Sequence, residues 1–259
     1  MKNYCFPEVT LLVTHYNRSG SLLRLLQTFK ELNCTFGETV VSDDGSSKEH
    51  LKTLLALKQQ FNFNLVLTDT NQGLGNNINK GQRAVTTALT LYVQEDFVPT
   101  KQFPENFENA IKCFEELPDL DLVRFYAYHS YPYLKPYKYG YSEMKFRIWY
   151  LDYKKIYFYS DHPHLRRGNF LEKFGNYAEN IKGDRTEYRK CVEVLQKRPR
   201  GLFFNEYSTL FEQINSSDEP STMARSNWTQ TDNAIVAVVR YFYRQFKYNF
   251  DVLFYKAKA

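Results

Sequence analysis

Through the first hundred residues, short continuous apolar runs alternate with stretches in which apolar residues recur every three or four positions. Residues 9–14 read as a buried strand. After a polar break at 16–20, Leu22, Leu23, Leu25, Leu26 and Phe29 fall on one helical face, with Ser19 or Ser21 placed to cap it. Further strands are predicted over 38–42, 63–68 and 89–93. Between them lie helices through Leu51, Leu54, Leu55 and Leu57 and across 77–87. This alternation builds an α/β fold, a mostly parallel sheet with helices on both faces. From about residue 97 the rhythm changes. A helix over 107–117 and a strand over 122–126 lead into residues 125–160, which carry 15 aromatic side chains interleaved with Lys and Pro. That segment reads as strands and loops walling the sheet ends, or as a Tyr- and Phe-rich core and lid. Asp161-His162-Pro163-His164 reads as an acceptor-side or structural loop stiffened by Pro163, in preference to a zinc site. A helical stretch closes at Gly175, and another helix is predicted over 186–196. The last helix, from Ala234, carries an apolar stripe of Ile235, Val239, Phe242, Phe246, Phe250 and Leu253.

Composition narrows the class. The 259 residues suffice for one large or two small domains. With 43% hydrophobic and 24% charged residues, the chain is suited to a folded core, which excludes global disorder. No apolar run approaches the roughly 20 residues of a membrane span. The N-terminus shows no small-residue cleavage site, so a cytoplasmic protein without a signal peptide is expected. Cys5, Cys34, Cys113 and Cys191 lie far apart with no C-x-x-C pair, which points to reduced thiols. Two features stand out, the 21 Tyr with 21 Phe and the formal net charge of +5. Basic and aromatic residues do not assemble into a recognisable RNA or DNA module, so nucleic acid is not an expected partner. The charge is local. From Ala234 onward, Arg240, Arg244, Lys247, Lys256 and Lys258 face only Asp251. Two settings suit such a helix: packed on the domain with a solvated basic face, or lying peripherally on the inner face of an anionic membrane.

Ligands of parallel α/β sheets bind beyond the carboxyl ends of the strands. Polar and acidic residues converge there: Thr14-His15-Tyr16-Asn17-Arg18, Asp43-Asp44-Gly45-Ser46, Thr68-Asp69 and Gln94-Glu95-Asp96. Together with Asn71-Gln72-Gly73 and Asn79-Lys80-Gly81, their order and spacing resemble the motifs of family 2 glycosyltransferases, which are inverting enzymes on the Rossmann-like GT-A fold. The likeness covers residues 8–100 and extends loosely to about 215. It implies a nucleotide-sugar-binding half over 1–100, an acceptor-side half of the same domain over 101–233, and the C-terminal amphipathic basic helix over 234–259. The implied activity is that of a hexosyltransferase, transfer from a nucleotide-sugar donor to a glycan or lipid-linked acceptor in surface polysaccharide synthesis.

The resemblance assigns roles at named positions. Asp43 or Asp44 accepts from the base and ribose, Thr14 and Tyr16 frame the base, and Arg18 meets phosphate. Gly73 and Asn77 belong to the loop entering a helix whose free amides lie near the donor. Taken without the family, Asp-Asp-Gly-Ser is an acidic turn and helix cap. Gln94-Glu95-Asp96 stands at the family's D-x-D metal motif, so Asp96 is the expected ligand of Mg²⁺ or Mn²⁺. Gln94 replaces the first acid of that motif, a departure from the family's pattern at the metal position. The general base falls on Glu187, then Asp184, then Glu179, although the family's E-D pair is absent. Those departures leave a second reading, a catalytically weak relative that binds sugar nucleotide or glycan.

Overall fold

In a computed structural model that describes residues 2–215, 219 and 234–256, the first hundred residues alternate as the pattern predicts. They form β1 (Tyr4–His15), α1 (Ser19–Glu31), β2 (Cys34–Asp43), α2 (Lys48–Phe61), β3 (Asn64–Val66), α3 (Leu74–Arg83) and β4 (Leu89–Gln94). β2 pairs with β1, β3 with β2, and β4 with the free side of β1, all parallel. The chain thus reverses its course across the sheet at β1, and the crevice between β1 and β4 is the switch point at which such sheets receive ligands. Side chains alternate along β1 and sort the two faces. Val9, Leu11 and Val13 share a core with Leu22, Leu25, Leu26 and Phe29 of α1 and Leu54 and Leu57 of α2. Leu12 packs on the opposite side with Ile78 of α3.

The second half adds β5 (Phe97–Pro99), α4 (Phe103–Glu116), β6 (Leu122–Arg124), β7 (Leu134–Pro136) and β8 (Tyr141–Met144). A 3-10 turn (Tyr153–Ile156), β9 (His164–Arg167), α5 (Phe170–Phe174), α6 (Gly183–Gln196), β10 (Gly201–Phe204), β11 (Phe211–Gln213) and α7 (Ala234–Phe254) follow. Among the described residues the main sheet runs β3-β2-β1-β4-β9-β6-β10-β8-β7, and β11 pairs with β5 apart from it. β9 and β8 oppose their neighbours, so the sheet is mostly parallel. β9 was hidden from the pattern because its residues are His, Leu, Arg and Arg. Arg166 is wholly buried and satisfied there. It donates twice to Gln82 Oε1 (3.1 and 2.7 Å) and once to the Tyr177 hydroxyl (2.5 Å), and its guanidinium lies over the rings of Tyr92 and Phe170. A strand can carry that polarity inward only with such partners.

The aromatic run divides. Phe125, Tyr131, Tyr141, Phe158 and Tyr159 are buried core, while Tyr128 remains exposed near the sheet ends. Helix α7 packs on α6 and the 3-10 turn. Its contact side is polar and aromatic, with Arg244 at Tyr153 and Lys247 at Tyr188 and Asp251. Its stripe points away. Val239, Phe242, Phe246, Phe250 and Leu253 are 56–74% exposed, so the helix packs on the domain as one of the two expected settings has it, but through Arg244 and Lys247 and not with its basic face solvated. The Ile235 side chain and Lys258 lie outside the described residues. Among those described, no helix is long and apolar enough to cross a membrane.

Candidate active site

β1 and β2 end in register, with His15 opposite Asp43. The Arg18 backbone N–H donates to His15 Nε2 (3.2 Å), so Nδ1 carries the ring hydrogen and donates to Asp43 Oδ1 (2.7 Å). Ser46 adds its amide (3.0 Å) and hydroxyl (2.5 Å) to the same carboxylate. Burial pushes Asp43 up, but these hydrogen bonds prevail and hold it below its ordinary range. Asp44 accepts from the amides of Gln72 (2.8 Å) and Gly73 (2.9 Å), drawing the 68–73 loop onto the strand end. There burial prevails over the amides and the charge of Lys80, and Asp44 is raised. Gly45 makes the closure feasible. It has φ +71°, and a Cβ would come 2.4 Å from the Thr70 carbonyl carbon.

The other donor-side residues separate by availability. Asn77 is buried, accepting from Ser42 Oγ (2.7 Å) and donating to the His15 carbonyl (3.2 Å), which fastens α3 to β1 and β2. Thr14 Oγ1 bonds the Tyr92 hydroxyl (3.1 Å). Tyr16 is half-buried. Gly73 opens α3 with no side-chain cap, and a Cβ there would meet only the Ile181 carbonyl oxygen, at 3.9 Å. Arg18 is buried across the crevice. Its Nη2 donates to Asn215 Oδ1 (2.8 Å) and the Glu219 carbonyl (3.1 Å), and its Nη1 lies 3.4 Å from Asp96 Oδ2 and 3.8 Å from Glu95 Oε1.

Asp96 Oδ2 also accepts from Gln213 Nε2 (2.9 Å), whereas its Oδ1 is buried without a partner. Burial, then the Asp96 charge, pushes the Glu95 carboxyl up to about 8 against the pull of Arg18. One unpartnered carboxylate oxygen fits the least a protein contributes to a hard divalent cation, whose remaining oxygens come from diphosphate and water. No cluster of three or more His, Cys, Asp or Glu suited to a metal occurs among the described residues, so a closed protein cage is not what the site offers.

A second acidic group lies where α6 meets the segment before β9. Glu187 Oε1 accepts from Ser160 Oγ (2.9 Å) and from the Asp161 amide (3.2 Å). Asp161 Oδ1 accepts from the Tyr159 hydroxyl (2.7 Å), and its buried Oδ2 has no partner. Burial first, and the Glu187 charge second, raise Asp161 to about 7. Asp184 is exposed in the first turn of α6 and accepts from the Arg185 amide (2.8 Å). Glu179 is tied to α3 through Asn76 (2.9 Å) and Asn79 (2.8 Å). Nearby, His162 sits among the rings of Phe97, Tyr126 and Tyr128. Burial and the charge of Arg124 lower it to about 3. The Tyr128 hydroxyl donates to Gln213 Oε1 (2.7 Å), linking this ring cluster to Asp96. In the sequence Asp161 stands only as part of the 161–164 loop, and Tyr128 and Gln213 carry no motif. β9 pairs with β4, and β11 with β5, which follows β4; Tyr128 joins them through its bond to Gln213.

The sequence model of the family described as Glycosyl transferase family 2 matches residues 10–175. No curated protein sequence matches the chain. Among solved structures, S. aureus TarS 1-349 in complex with UDP-GlcNAc is similar with a TM-score of 0.64 at 15% identity, over 96% of this chain and 76% of that one. Mannosyltransferase PcManGT from Pyrobaculum calidifontis, in complex with GDP-Man and Mn²⁺, gives 0.57 at 14% identity, over 93% and 66%. Against S. aureus TarS the TM-score is 0.61 at 16% identity, over 82% of this chain, which spans only 37% of that protein.

Proposed function

The chain is a member of glycosyl transferase family 2, and from that premise we propose that it moves a sugar, with inversion, from a nucleotide diphosphate donor to an acceptor hydroxyl. The acceptor in this reading is a glycan or lipid-linked glycan of a surface polysaccharide, met by a cytoplasmic protein at the inner face of a membrane. The observation that carries the reading is Asp96 at the β1–β4 switch point, with an unpartnered Oδ1 and Arg18 beside its Oδ2. A diphosphate there meets the Arg18 guanidinium and the uncapped first-turn amides of α3. Asp43, Asp44 and Tyr16 border the place of the nucleoside. Mg²⁺ or Mn²⁺ on Asp96 would stabilise negative charge on the departing nucleoside diphosphate. Glu187 has one oxygen oriented by Ser160 and Asp161, and its carboxylate takes the proton of the acceptor hydroxyl. The exposed ring of Tyr128 offers an acceptor sugar a stacking face.

Two measurements test this. In a thermal-shift series with Mn²⁺ and UDP-, GDP- and TDP-sugars, a donor at a hundred times its Kd adds about 2.7 kcal/mol of stability. A flat response to every nucleotide sinks the donor site. In a transfer assay Glu187→Gln lowers kcat by about 10²–10⁴-fold, while Asp184→Asn stays within about threefold. The reverse order moves the base to Asp184. Stabilisation by nucleotide without turnover on any acceptor favours the binding-only relative, for which Gln94 and the missing E-D pair are the grounds.

A further inference from the structure

Helix α7 and the loop before the 3-10 turn share an unusual orientation: their polar groups face the protein and their largest apolar side chains face outward. Tyr241 donates to the Leu151 carbonyl (2.8 Å) and Gln245 to the Tyr150 carbonyl (2.8 Å). From beneath, the buried Lys155 donates to the carbonyls of Ile148 (2.5 Å) and Tyr150 (2.6 Å). The Tyr133 and Tyr150 rings lie 4.1 Å apart, tilted by 31°. This frame fixes Trp149 and Leu151 at 70% and 74% exposure, next to a helix that exposes Phe242, Phe246 and Phe250. Two segments about a hundred residues apart in sequence therefore form a single apolar surface. Patches of this kind mark a surface of contact.

Charge selects what it contacts. On these same elements and just beyond α7, Arg147, Lys154 and Lys256 are exposed or half-exposed, against Asp152 and Asp251, while Arg244 and Lys247 turn to Tyr153, Tyr188 and Asp251. Asp251 is taken by Lys247 and Tyr188, and Asp152 accepts from the Lys154 amide (2.9 Å). A second copy meeting this patch across a two-fold axis would bring like charges together. An anionic bilayer suits both parts, with the rings at the boundary of headgroup and acyl chain and the cations at the headgroups. The 21 residues of α7 make a rod of about 31 Å, able to lie in that plane.

We propose that the outer face of α7 and the Trp149–Leu151 loop form one docking surface for an anionic lipid bilayer. This builds on the peripheral contact in the proposed reading but uses none of its transfer chemistry, so the two fail separately. The full chain is sedimented with vesicles of phosphatidylglycerol and phosphatidylcholine, and with phosphatidylcholine alone. Binding is expected on the anionic vesicles, weakening with salt. Trp149→Ser and Phe246→Ser should each weaken it by about tenfold or more. Both replace exposed side chains, and unchanged melting by circular dichroism confirms the fold. The chain has two tryptophans, so Trp228→Phe leaves Trp149 as sole reporter, and its emission shifts to the blue on anionic vesicles. The proposal is overturned by no binding to them, by binding that neither serine variant weakens, or by a Trp149 emission that stays put. Also fatal is a concentration-dependent dimer, dispersed by Phe246→Ser, in a chain that ignores vesicles.

Discussion

Asp43 and Asp44 close the end of β2, and Glu95 and Asp96 follow β4; both pairs are buried, at strand ends on either side of β1. In the first pair all four carboxylate oxygens accept hydrogen bonds, from His15, from the amide and hydroxyl of Ser46, and from the amides of Gln72 and Gly73. The second pair has one guanidinium, at 3.4 and 3.8 Å, and one amide, and Asp96 Oδ1 receives nothing. A satisfied carboxylate holds loops in place. An unsatisfied buried one is costly by itself, and a ligand that supplies its missing partner lowers that cost. The difference separates two tasks: the β2 acids shape the crevice, and the β4 acids hold its unmet chemistry.

The sharpest way to break that comparison is to truncate one acid from each pair. Asp96→Ala should lower transfer by about 10²–10³-fold, and weaken Mn²⁺ binding, with little loss of stability. Asp44→Ala should do the opposite in kind. It removes the carboxylate that holds the Gln72 and Gly73 amides, neither of them fully buried, and costs about 1–2 kcal/mol in denaturant unfolding. If the two variants lose stability equally, the contrast between shaping and reacting acids is wrong.

Arg18 tests the β4 pair from the cation's side. Arg18→Gln leaves Glu95 and Asp96 facing each other without a positive charge, and about 3 kcal/mol of stability should go. Measured at pH 9, where Glu95 is ionised, adding Glu95→Gln removes one of the repelling acids and should return part of it, giving a coupling of about 1 kcal/mol or more in a double-mutant cycle. Strict additivity would show that the guanidinium is held by Asn215 and the Glu219 carbonyl and owes nothing to the acids.

Much of the first half was legible because a parallel strand buried on both faces is apolar throughout, and a helix between strands must repeat near every 3.6 residues. The order of the motifs at the strand ends followed from that. Pairing across the second half was not legible. β9 carries His164 and Arg166 into the core, and only the partners Gln82, Tyr177 and Tyr92, distant in sequence, make that possible. The two acid pairs were equally opaque. Asp-Asp and Glu-Asp are near-identical in chemistry, and their difference lies in amides supplied by the 68–73 loop. Along α7 the period of the stripe was plain, but period alone does not say which side meets the domain. The inward hydrogen bonds of Tyr241, Gln245 and Arg244 decide that.

The smallest effect separates the pairs by pH. Asp43 is held below its ordinary value, so it binds fewer protons folded than unfolded. Its contribution to stability is present above the unfolded pKa and lost as pH falls through the folded one. Glu95, at about 8, and Asp161, at about 7, are displaced the other way. Between about pH 4 and those values the folded chain keeps protons that the unfolded chain releases, so stability declines as pH rises through that window. Each group contributes a slope of at most about 1.4 kcal/mol per pH unit. Glu95→Gln and Asp161→Asn keep the shape of the protonated side chain and should each flatten the decline between pH 5 and 8. Asp43→Asn should leave that side unchanged and remove part of the acid-side loss. Urea midpoints of the four proteins from pH 3 to 9 read this directly. A Glu95→Gln profile parallel to that of the unaltered chain would mean that Arg18 and water already satisfy Glu95, and the asymmetry between the pairs would then rest on Asp96 alone.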